Sequence, residues 1–328
     1  MPERSLGVCL VGCGGHAAVH AGLLAELGGV ALFFSSRTPA RAEEYARRFS
    51  GAALPSFEAA CGDARVDALV VCTPHDRHRA DAEAALRSGK AVLLEKPLGV
   101  SVAEGEALLR LDREVGGRLL LAENYAFLPV VPAAIRLLRQ GGVGRPKSVR
   151  FVHRKRSQPR GWRLEKARMG GGLLMDVGPH HLRLLQTLLG PVRRVRMVSA
   201  RRGIDSMEGE SDFNLALDFG DGLEGGIEAS WTIDWDKSVP NLRIEGDSGS
   251  LSYVMDRPYL EWERETVQRV PFDASDPLGR AALARHFLEV ARGAPAAVGA
   301  DKGLEDLRVI EAAYRSARTG AWEKAAGI

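Results

Sequence analysis

The sequence predicts an α/β domain built on a parallel sheet, followed by an α+β domain with an open-faced, mainly antiparallel sheet. Three observations carry that prediction. Short apolar runs alternate with helix-patterned stretches up to about residue 122, strand-like segments then follow one another, and a glycine-rich turn links the first apolar run to the first helical stretch. At 328 residues the chain exceeds the size at which a single core usually stops growing. We therefore expect two domains, 1–122 and 123–328, with the last helix free to pack back toward the first.

In the first part, residues 6–11, 30–35, 68–72, 91–95 and 119–122 are short, apolar and bounded by Gly, Pro or charge, and read as strands. Residues 17–27, 40–49, 76–87 and 102–114 lie between them and read as helices. Strands separated by helices imply crossover connections and hence a parallel sheet. Their near-continuous apolar character suits a sheet covered on both faces. Past Asn124 the pattern becomes a helix at 131–140, a basic strand at 148–156, a long loop, and a helix from about Gly172 to Leu189. Strand-like segments follow at 192–200, 213–219, 223–231, 242–245 and 251–254, and helices at 281–292 and 304–318 end the chain. Gly220-Asp221-Gly222 reads as a hairpin turn. So does Gly246-Asp247-Ser248-Gly249, although it resembles the nucleophile motif of chymotrypsin-like proteases, because Gly and Asp favour such turns and no double β-barrel surrounds it.

Composition excludes several classes. Hydrophobic residues make up 45% and charged residues 27%, ordinary for a soluble domain. A net charge of +3 is too mild for a nucleic-acid footprint, and no segment approaches the roughly 20 apolar residues of a membrane span. The four cysteines, Cys9, Cys13, Cys61 and Cys72, have neither C-x-x-C nor paired zinc-ligand spacing. No metal is expected, and a reducing, cytoplasmic setting is. Leu10-Val11-Gly12-Cys13 resembles a lipoprotein cleavage site, but the apolar run before it is shorter than the usual stretch of about 7–15 residues. His75 and His78 could share one side of a helix start, but no third ligand has suitable spacing.

Residues 6–11 run into Gly12-Cys13-Gly14-Gly15-His16-Ala17, a G-x-G-x-x-A turn that opens a helix. Gly12 permits the tight turn, Gly14 lets backbone approach a pyrophosphate, and small Ala17 allows close helix–strand packing. The helix N-terminus then offers free N–H groups and partial positive charge to the phosphates. In this context the turn is the fingerprint of a dinucleotide-binding Rossmann domain. At the end of the second strand an acid would bind the ribose 2′-hydroxyl of NAD, whereas an arginine accommodates the 2′-phosphate of NADP. That position holds Ser36, followed by Arg37 and, one turn on, Arg41. NADP(H) is therefore favoured over NAD(H), since serine can donate to a phosphate and guanidinium can pair with it.

Further motifs are Thr73-Pro74-His75-Asp76-Arg77-His78, Glu95-Lys96-Pro97, Asn124-Tyr125, and Gly170-Gly171-Gly172-Leu173-Leu174-Met175-Asp176-Val177-Gly178-Pro179-His180. In this order and spacing the chain resembles the glucose–fructose oxidoreductase and inositol dehydrogenase (Gfo/Idh/MocA) family over nearly its whole length. The E-K-P triplet with the later D-x-G-x-H is the most specific element. The resemblance implies a Rossmann domain followed by an open-faced sheet, with substrate in the cleft between them, and association of copies through that sheet. It implies reversible oxidation of a secondary alcohol on a sugar, cyclitol or related polyol. It also implies catalytic roles for Lys96, Asp176 and His180, a ribose contact for Glu95, and a Lys96–Pro97 bond free to be cis. Gly12, Gly14, Gly15, His16, Ala17, Ser36, Arg37, Arg41, Thr73, Pro74, His78, Glu95, Lys96, Trp162 and Arg163 are the expected cofactor residues. Lys96, Asn124, Tyr125, Asp176 and His180 are the expected substrate residues.

The residue types suit this chemistry. An imidazole titrates near working pH and suits His180 to take the hydroxyl proton as the carbonyl forms. Lys96 can stabilise charge developing on the same oxygen. Asp176 and His180 lie four apart, on one helix face, so the acid can orient the ring, whereas His181 is rotated away as a packing or surface residue. Many relatives carry a second acid where Arg183 stands and arginine where Ala126 stands, which leaves the substrate class open. Basic residues crowd positions 150–168, which suits either an anionic substrate group or a solvated face; without interleaved aromatics they do not suit nucleic acid. Two other functions fit the same fold, a catalytically silent dinucleotide sensor and a glycosidase using NAD as transient redox cofactor. The presence of Lys96, Asp176 and His180 argues against the first, and Ser36-Arg37 against the second.

Overall fold

The computed structural model describes residues 4–325, which divide into two compact units. One runs to Glu123 and takes in Arg280–Leu304; the other comprises Asn124–Gly279 and the chain from Glu305. The contiguous 1–122 and 123–328 division put Arg280–Leu304 in the second domain, whereas these residues belong to the first unit. The reason is local packing. The Arg280–Ala291 helix lies against the first helix and fifth strand of that unit, and Leu121 donates its N–H to the Val298 carbonyl at 2.8 Å.

The first unit contains β1 (Leu6–Val11), α1 (Gly15–Leu27), β2 (Val30–Ser35), α2 (Pro39–Arg48), β3 (Ala52–Ala53), α3 (Phe57–Gly62), β4 (Ala68–Val71), α4 (His78–Arg87), β5 (Ala91–Leu94), α5 (Val102–Glu114) and β6 (Leu119–Leu121). The strands form one sheet in the order β3-β2-β1-β4-β5-β6, all parallel. Every residue of β4, β5 and β6 is buried, the burial expected of strands covered on both faces. Helix starts follow their caps. Ser56 accepts from the Ala59 N–H at α3 and Ser101 from the Glu104 N–H at α5, where Glu104 in turn accepts from Val100. The sheet order reverses direction at β1, so the carboxyl ends of β1 and β4 flank the topological switch point where such sheets hold ligands. β3 and α3 were not expected. At two and six residues they are too short for either periodicity to register.

The second unit contains α6 (Val130–Arg139), β7 (Pro146–Arg154), α7 (Lys166–Met169), α8 (Leu173–Leu189), β8 (Arg194–Arg201), β9 (Asp212–Gly220), β10 (Leu223–Ser230), β11 (Leu242–Gly246), β12 (Ser250–Tyr253), β13 (Tyr259–Glu263) and β14 (Val267–Pro271). After α9 (Arg280–Ala291) the chain runs through α10 (Ala300–Thr319) to β15 (Glu323–Lys324). Nine strands form a sheet in the order β14-β13-β12-β11-β7-β10-β9-β8-β15. Only the β7–β10 pair in it is parallel, so the mainly antiparallel expectation holds. Burial alternates along β9, where Phe213, Leu215, Leu217 and Phe219 are buried, and α8 packs on β9 and β10. The expected turn at Gly246–Gly249 joins β11 to β12, with Gly246 N–H donating to Gly249 O at 2.9 Å. Among the described residues no helix is long and apolar enough to cross a membrane.

The glycine triplet before α8 has a packing cause. A Cβ on Gly171 would lie 2.1 Å from the Tyr314 hydroxyl, and one on Gly172 2.3 Å from Glu210 N. The space they leave lets Glu210 cap the helix, its carboxylate accepting from the Leu174 N–H at 3.0 Å and from Tyr314 Oη at 2.9 Å. Farther along α8, Arg183 is buried and donates to Asp306 Oδ1 at 2.7 Å and to Glu305 at 3.1 Å; Gln186 also donates to Asp306, at 2.8 Å. Arg183 thus ties α8 to α10. Arg183→Leu strands the buried Asp306 carboxylate and is expected to cost about 3–5 kcal/mol in urea unfolding, with most of it recovered in the Arg183→Leu/Asp306→Leu double variant. A loss below about 1 kcal/mol would show that the pair is not holding the two helices.

Candidate active site

The glycine turn is shaped for backbone approach. Gly12 has φ +88°, and a Cβ there would meet the Cys72 carbonyl oxygen at 2.9 Å, so only glycine fits between β1 and the end of β4. Gly14 and Gly15 face open space, with nothing within 4 Å of a built Cβ. Gly14 is the N-cap of α1 and no side chain caps that helix start, which leaves its first N–H groups directed at whatever lies before the turn. Tyr45 Oη donates to Gly14 O at 3.0 Å and steadies the turn from α2, while Ala17 is fully buried beneath it. The residues present fit a dinucleotide pyrophosphate. After β2, Ser36 accepts the Thr38 N–H at 3.3 Å. Arg37 is exposed, and Arg41 pairs with Glu44 at 3.3 Å on the exposed side of α2.

The two loops after β4 and β5 are fastened together. Thr73 Oγ1 donates to Asp81 at 2.8 Å, and Arg77 also pairs with Asp81 at 2.8 Å. His78 lies fully buried, Nδ1 2.7 Å from Pro97 O and Nε2 3.0 Å from Thr73 O. Burial lowers its pKa against the pull of the two carbonyls. His78, expected at the cofactor, is here taken up by the Pro97 and Thr73 carbonyls, while Thr73 and Pro74 are half-buried on the same loop. The Lys96–Pro97 bond is cis and the Lys96 side chain is buried. Glu95 Oε1 lies 2.8 Å from His20 Nε2 and 3.3 Å from His16 Nδ1. Burial disfavours the Glu95 carboxylate, but these two hydrogen bonds outweigh it and hold the group well below the usual carboxylate range. The carboxylate expected at a ribose is thus held by two imidazoles of α1. Cys72 completes a compact set with His20 and Glu95, their donor atoms all within 4.8 Å of one another.

In the second unit α8 presents Asp176 and His180 one turn apart. Asp176 is buried and accepts from Arg163 Nε at 3.1 Å, and the Arg163 guanidinium lies 4.6 Å over the Trp162 ring. Trp162 and Arg163 are expected to meet cofactor; here Arg163 lies over the Trp162 ring and donates to Asp176. The half-buried His180 ring stacks on Tyr125, centroids 4.7 Å apart and 19° from parallel. Tyr125 also donates to Met255 Sδ at 3.6 Å. Asn124, an expected substrate residue, donates its amide to Leu278 O at 2.6 Å. His181 is fully buried, its ring 4.7 Å from Phe151 and 5.0 Å from His153, a packing residue as expected.

In the sequence His153 reads only as one of the basic residues of 150–168. It belongs to the His180 cluster: burial, then His180 and Lys155, push its pKa down against Asp176 to about 4. A strand position on β7 gives no sequence signal for a partner on α8. The arginines of that segment divide between acids, Arg150 and Arg154 on Glu228, Arg156 on Asp234 at 3.1 Å, and Arg168 on Glu165 at 3.3 Å. The cluster is mostly a charge-paired face rather than an open anion site.

Comparison with known proteins bears on the whole chain. Residues 6–123 match the model of an oxidoreductase family with an NAD-binding Rossmann fold, and residues 131–252 match the GFO/IDH/MocA C-terminal domain. A dTDP-3,4-didehydro-2,6-dideoxy-alpha-D-glucose 3-reductase of Streptomyces violaceoruber is 34% identical over 288 residues, 82% of this chain and 80% of the relative. The chain belongs to the Gfo/Idh/MocA family of oxidoreductases. A 1,5-anhydro-D-fructose reductase of Ensifer adhaerens is 28% identical over 314 residues, 91% of this chain and 92% of the relative. The crystal structure of an aldose-aldose oxidoreductase from Caulobacter crescentus, complexed with glycerol, has a TM-score of 0.85 at 28% identity and covers 98% of this chain and 100% of its own. As a family member the chain is an oxidoreductase whose homologues are dehydrogenases and reductases.

The His153 environment gives a pH prediction. The folded chain resists protonating this ring between the ordinary 6.5 and about 4 while the unfolded chain accepts the proton, so stability present above 6.5 is lost as pH falls toward 4. Urea-unfolding free energies measured across that window should fall more steeply for the parent chain than for His153→Gln. Parallel curves would place His153 in solvent rather than in the cluster.

Proposed function

We propose that this chain is an NADP(H)-preferring oxidoreductase that interconverts a secondary alcohol and a ketone on a sugar, cyclitol or related polyol. The observation that carries the reading is the half-exposed His180 imidazole, stacked on Tyr125 one helical turn from buried Asp176. A base needs an accessible nitrogen, a fixed ring plane and a nearby acid, and these neighbours supply them. The relatives support the substrate class: the reductases above act, by their names, on a didehydro-dideoxyglucose nucleotide and on anhydrofructose.

Bound nicotinamide supplies the hydride half of the reaction. The uncapped start of α1 holds the pyrophosphate, and Gly14 lets it come close. Ser36 and exposed Arg37 receive the 2′-phosphate, Ser36 by hydrogen bond and Arg37 by a forked ion pair. His180 takes the hydroxyl proton in oxidation and returns it in reduction. Asp176, itself oriented by Arg163, lies one helical turn before the ring on the same helix face. Lys96 donates a hydrogen bond to the reacting oxygen and lowers the energy of the alkoxide-like transition state. Trp162 supports Arg163 from below. The same reading includes association of copies through the exposed face of the nine-stranded sheet, where β8 carries Arg194, Arg196 and Val198. The four free thiols suit a reducing, cytoplasmic setting.

Two measurements test this function. In calorimetric titration NADPH should bind at least tenfold more tightly than NADH, a difference of about 1.4 kcal/mol, and Ser36→Asp with Arg37→Ala should reverse the order. Equal affinities, or an order unmoved by the double substitution, would refute the selectivity. Against a panel of keto-sugars and inosose-type ketones, His180→Ala should slow NADPH oxidation by about 100-fold or more, and Lys96→Ala should abolish it, both with NADPH affinity retained. NADPH binding without turnover of any ketone in the parent chain would favour a silent sensor instead.

A further inference from the structure

Around the glycine turn lies a donor set that hydride chemistry does not use. His20 projects from α1, Cys72 ends the stretch after β4, and Glu95 follows β5; their ligand atoms all lie within 4.8 Å of one another. His16, one turn before His20 on the same helix face, brings a fourth donor, its Nδ1 3.3 Å from Glu95 Oε1. His20 and Glu95 are nearly enclosed, with side chains 8% and 12% exposed, while His16 is 49% exposed and gives the set an opening to solvent. Two imidazoles, a thiol and a carboxylate from three separate elements thus converge on one small volume. We infer that His20, Cys72 and Glu95, with His16 as fourth donor, form a binding site for Zn2+.

The donor chemistry selects the ion. Nitrogen, sulfur and a single carboxylate oxygen suit borderline-soft Zn2+, whereas Mg2+ and Ca2+ require mostly oxygen. Tetrahedral zinc at ordinary bond lengths spaces its donors by about 3.3–3.6 Å. The His20–Glu95 pair at 2.8 Å opens by about half an ångström as the ion replaces the shared proton, and the rest of the set closes from within 4.8 Å. The histidines lie four apart on one helix face, the spacing that lets both rings reach a single ion. Charge favours it too. Glu95 and a Cys72 thiolate would repel one another in a buried volume, and a dication placed between them neutralises both. Binding therefore releases the thiol proton, and affinity rises with pH.

The donors surround the carboxyl ends of β4 and β5 and the first turns of α1, where the function proposed above puts the dinucleotide. Zn2+ and dinucleotide therefore exclude one another, an extension that rests on that reading; the metal site itself does not.

Calorimetric titration of the metal-free, dinucleotide-free chain with Zn2+ tests the site. One equivalent should bind; Cys72→Ser, His20→Ala and Glu95→Gln should each weaken binding at least tenfold, and Cys61→Ser should not. Loading with Co2+ should produce thiolate-to-cobalt charge-transfer absorption that Cys72→Ser abolishes and Glu95→Gln retains. That readout does not depend on how much stability a variant loses. Absence of stoichiometric binding, or binding untouched by Cys72→Ser and His20→Ala, overturns the site and leaves the cluster as hydrogen bonds alone. Zn2+ that binds at these residues without weakening NADPH at least tenfold overturns the exclusion. A metal-free chain that binds Zn2+ as described but no dinucleotide overturns the proposed function and leaves the zinc site standing.

Discussion

The contact between Gly12 and the Cys72 carbonyl is the constraint on which the first unit depends. A positive φ and the absence of a side chain let β1 turn within van der Waals reach of the end of β4. That turn starts α1 without a side-chain cap, and the unsatisfied N–H groups become the anion-binding face. It also fixes which side of α1 faces the carboxyl ends of β4 and β5, and so sets His16 and His20 against Glu95. Phosphate recognition and the proposed metal site are therefore two consequences of one backbone geometry. Behind them, His78 joins the loops after β4 and β5 through carbonyls of each, beside the Thr73 and Arg77 contacts to Asp81.

In the second unit the corresponding work is done by the seating of α8. Gly171 and Gly172 admit Tyr314 and Glu210 at distances no Cβ would tolerate, and Glu210 then caps the helix. With its start fixed there and Arg183 locked to α10 farther along, α8 has little freedom to rotate. Asp176 and His180 inherit that rigidity. Positional precision at a reacting group comes from supporting shells of this kind. Arg183 serves the helix packing, its guanidinium taken up by Asp306 and Glu305.

Much of this was legible in the sequence because it is local. The G-x-G-x-x-A turn, the strand–helix alternation and the i, i+4 spacing of Asp176 and His180 are patterns within a few residues. What stayed hidden depends on residues distant in the chain. Glu95 meets His20 across 75 positions, and no periodicity announces that Cys72 joins them. Arg163 reaches Asp176 through a long loop, and His153 on β7 enters the His180 cluster through sheet and helix packing. β13 and β14 escaped notice because β14 is almost wholly exposed, with four of its five residues facing solvent, so it lacks the alternation of a half-buried strand. That Arg280–Leu304 groups with the first unit is not written in its sequence, because an amphipathic helix states that it packs but not against what.

The central claim is that backbone at the start of α1, with room left by a missing side chain, holds a dinucleotide. Gly14 isolates that claim from stability: its φ of −117° suits any residue, and nothing lies within 4 Å of a Cβ built there. Calorimetric titration of Gly14→Val with NADPH is the direct measurement. The account predicts an unchanged melting temperature with NADPH binding lost. Binding retained at parental affinity would contradict it.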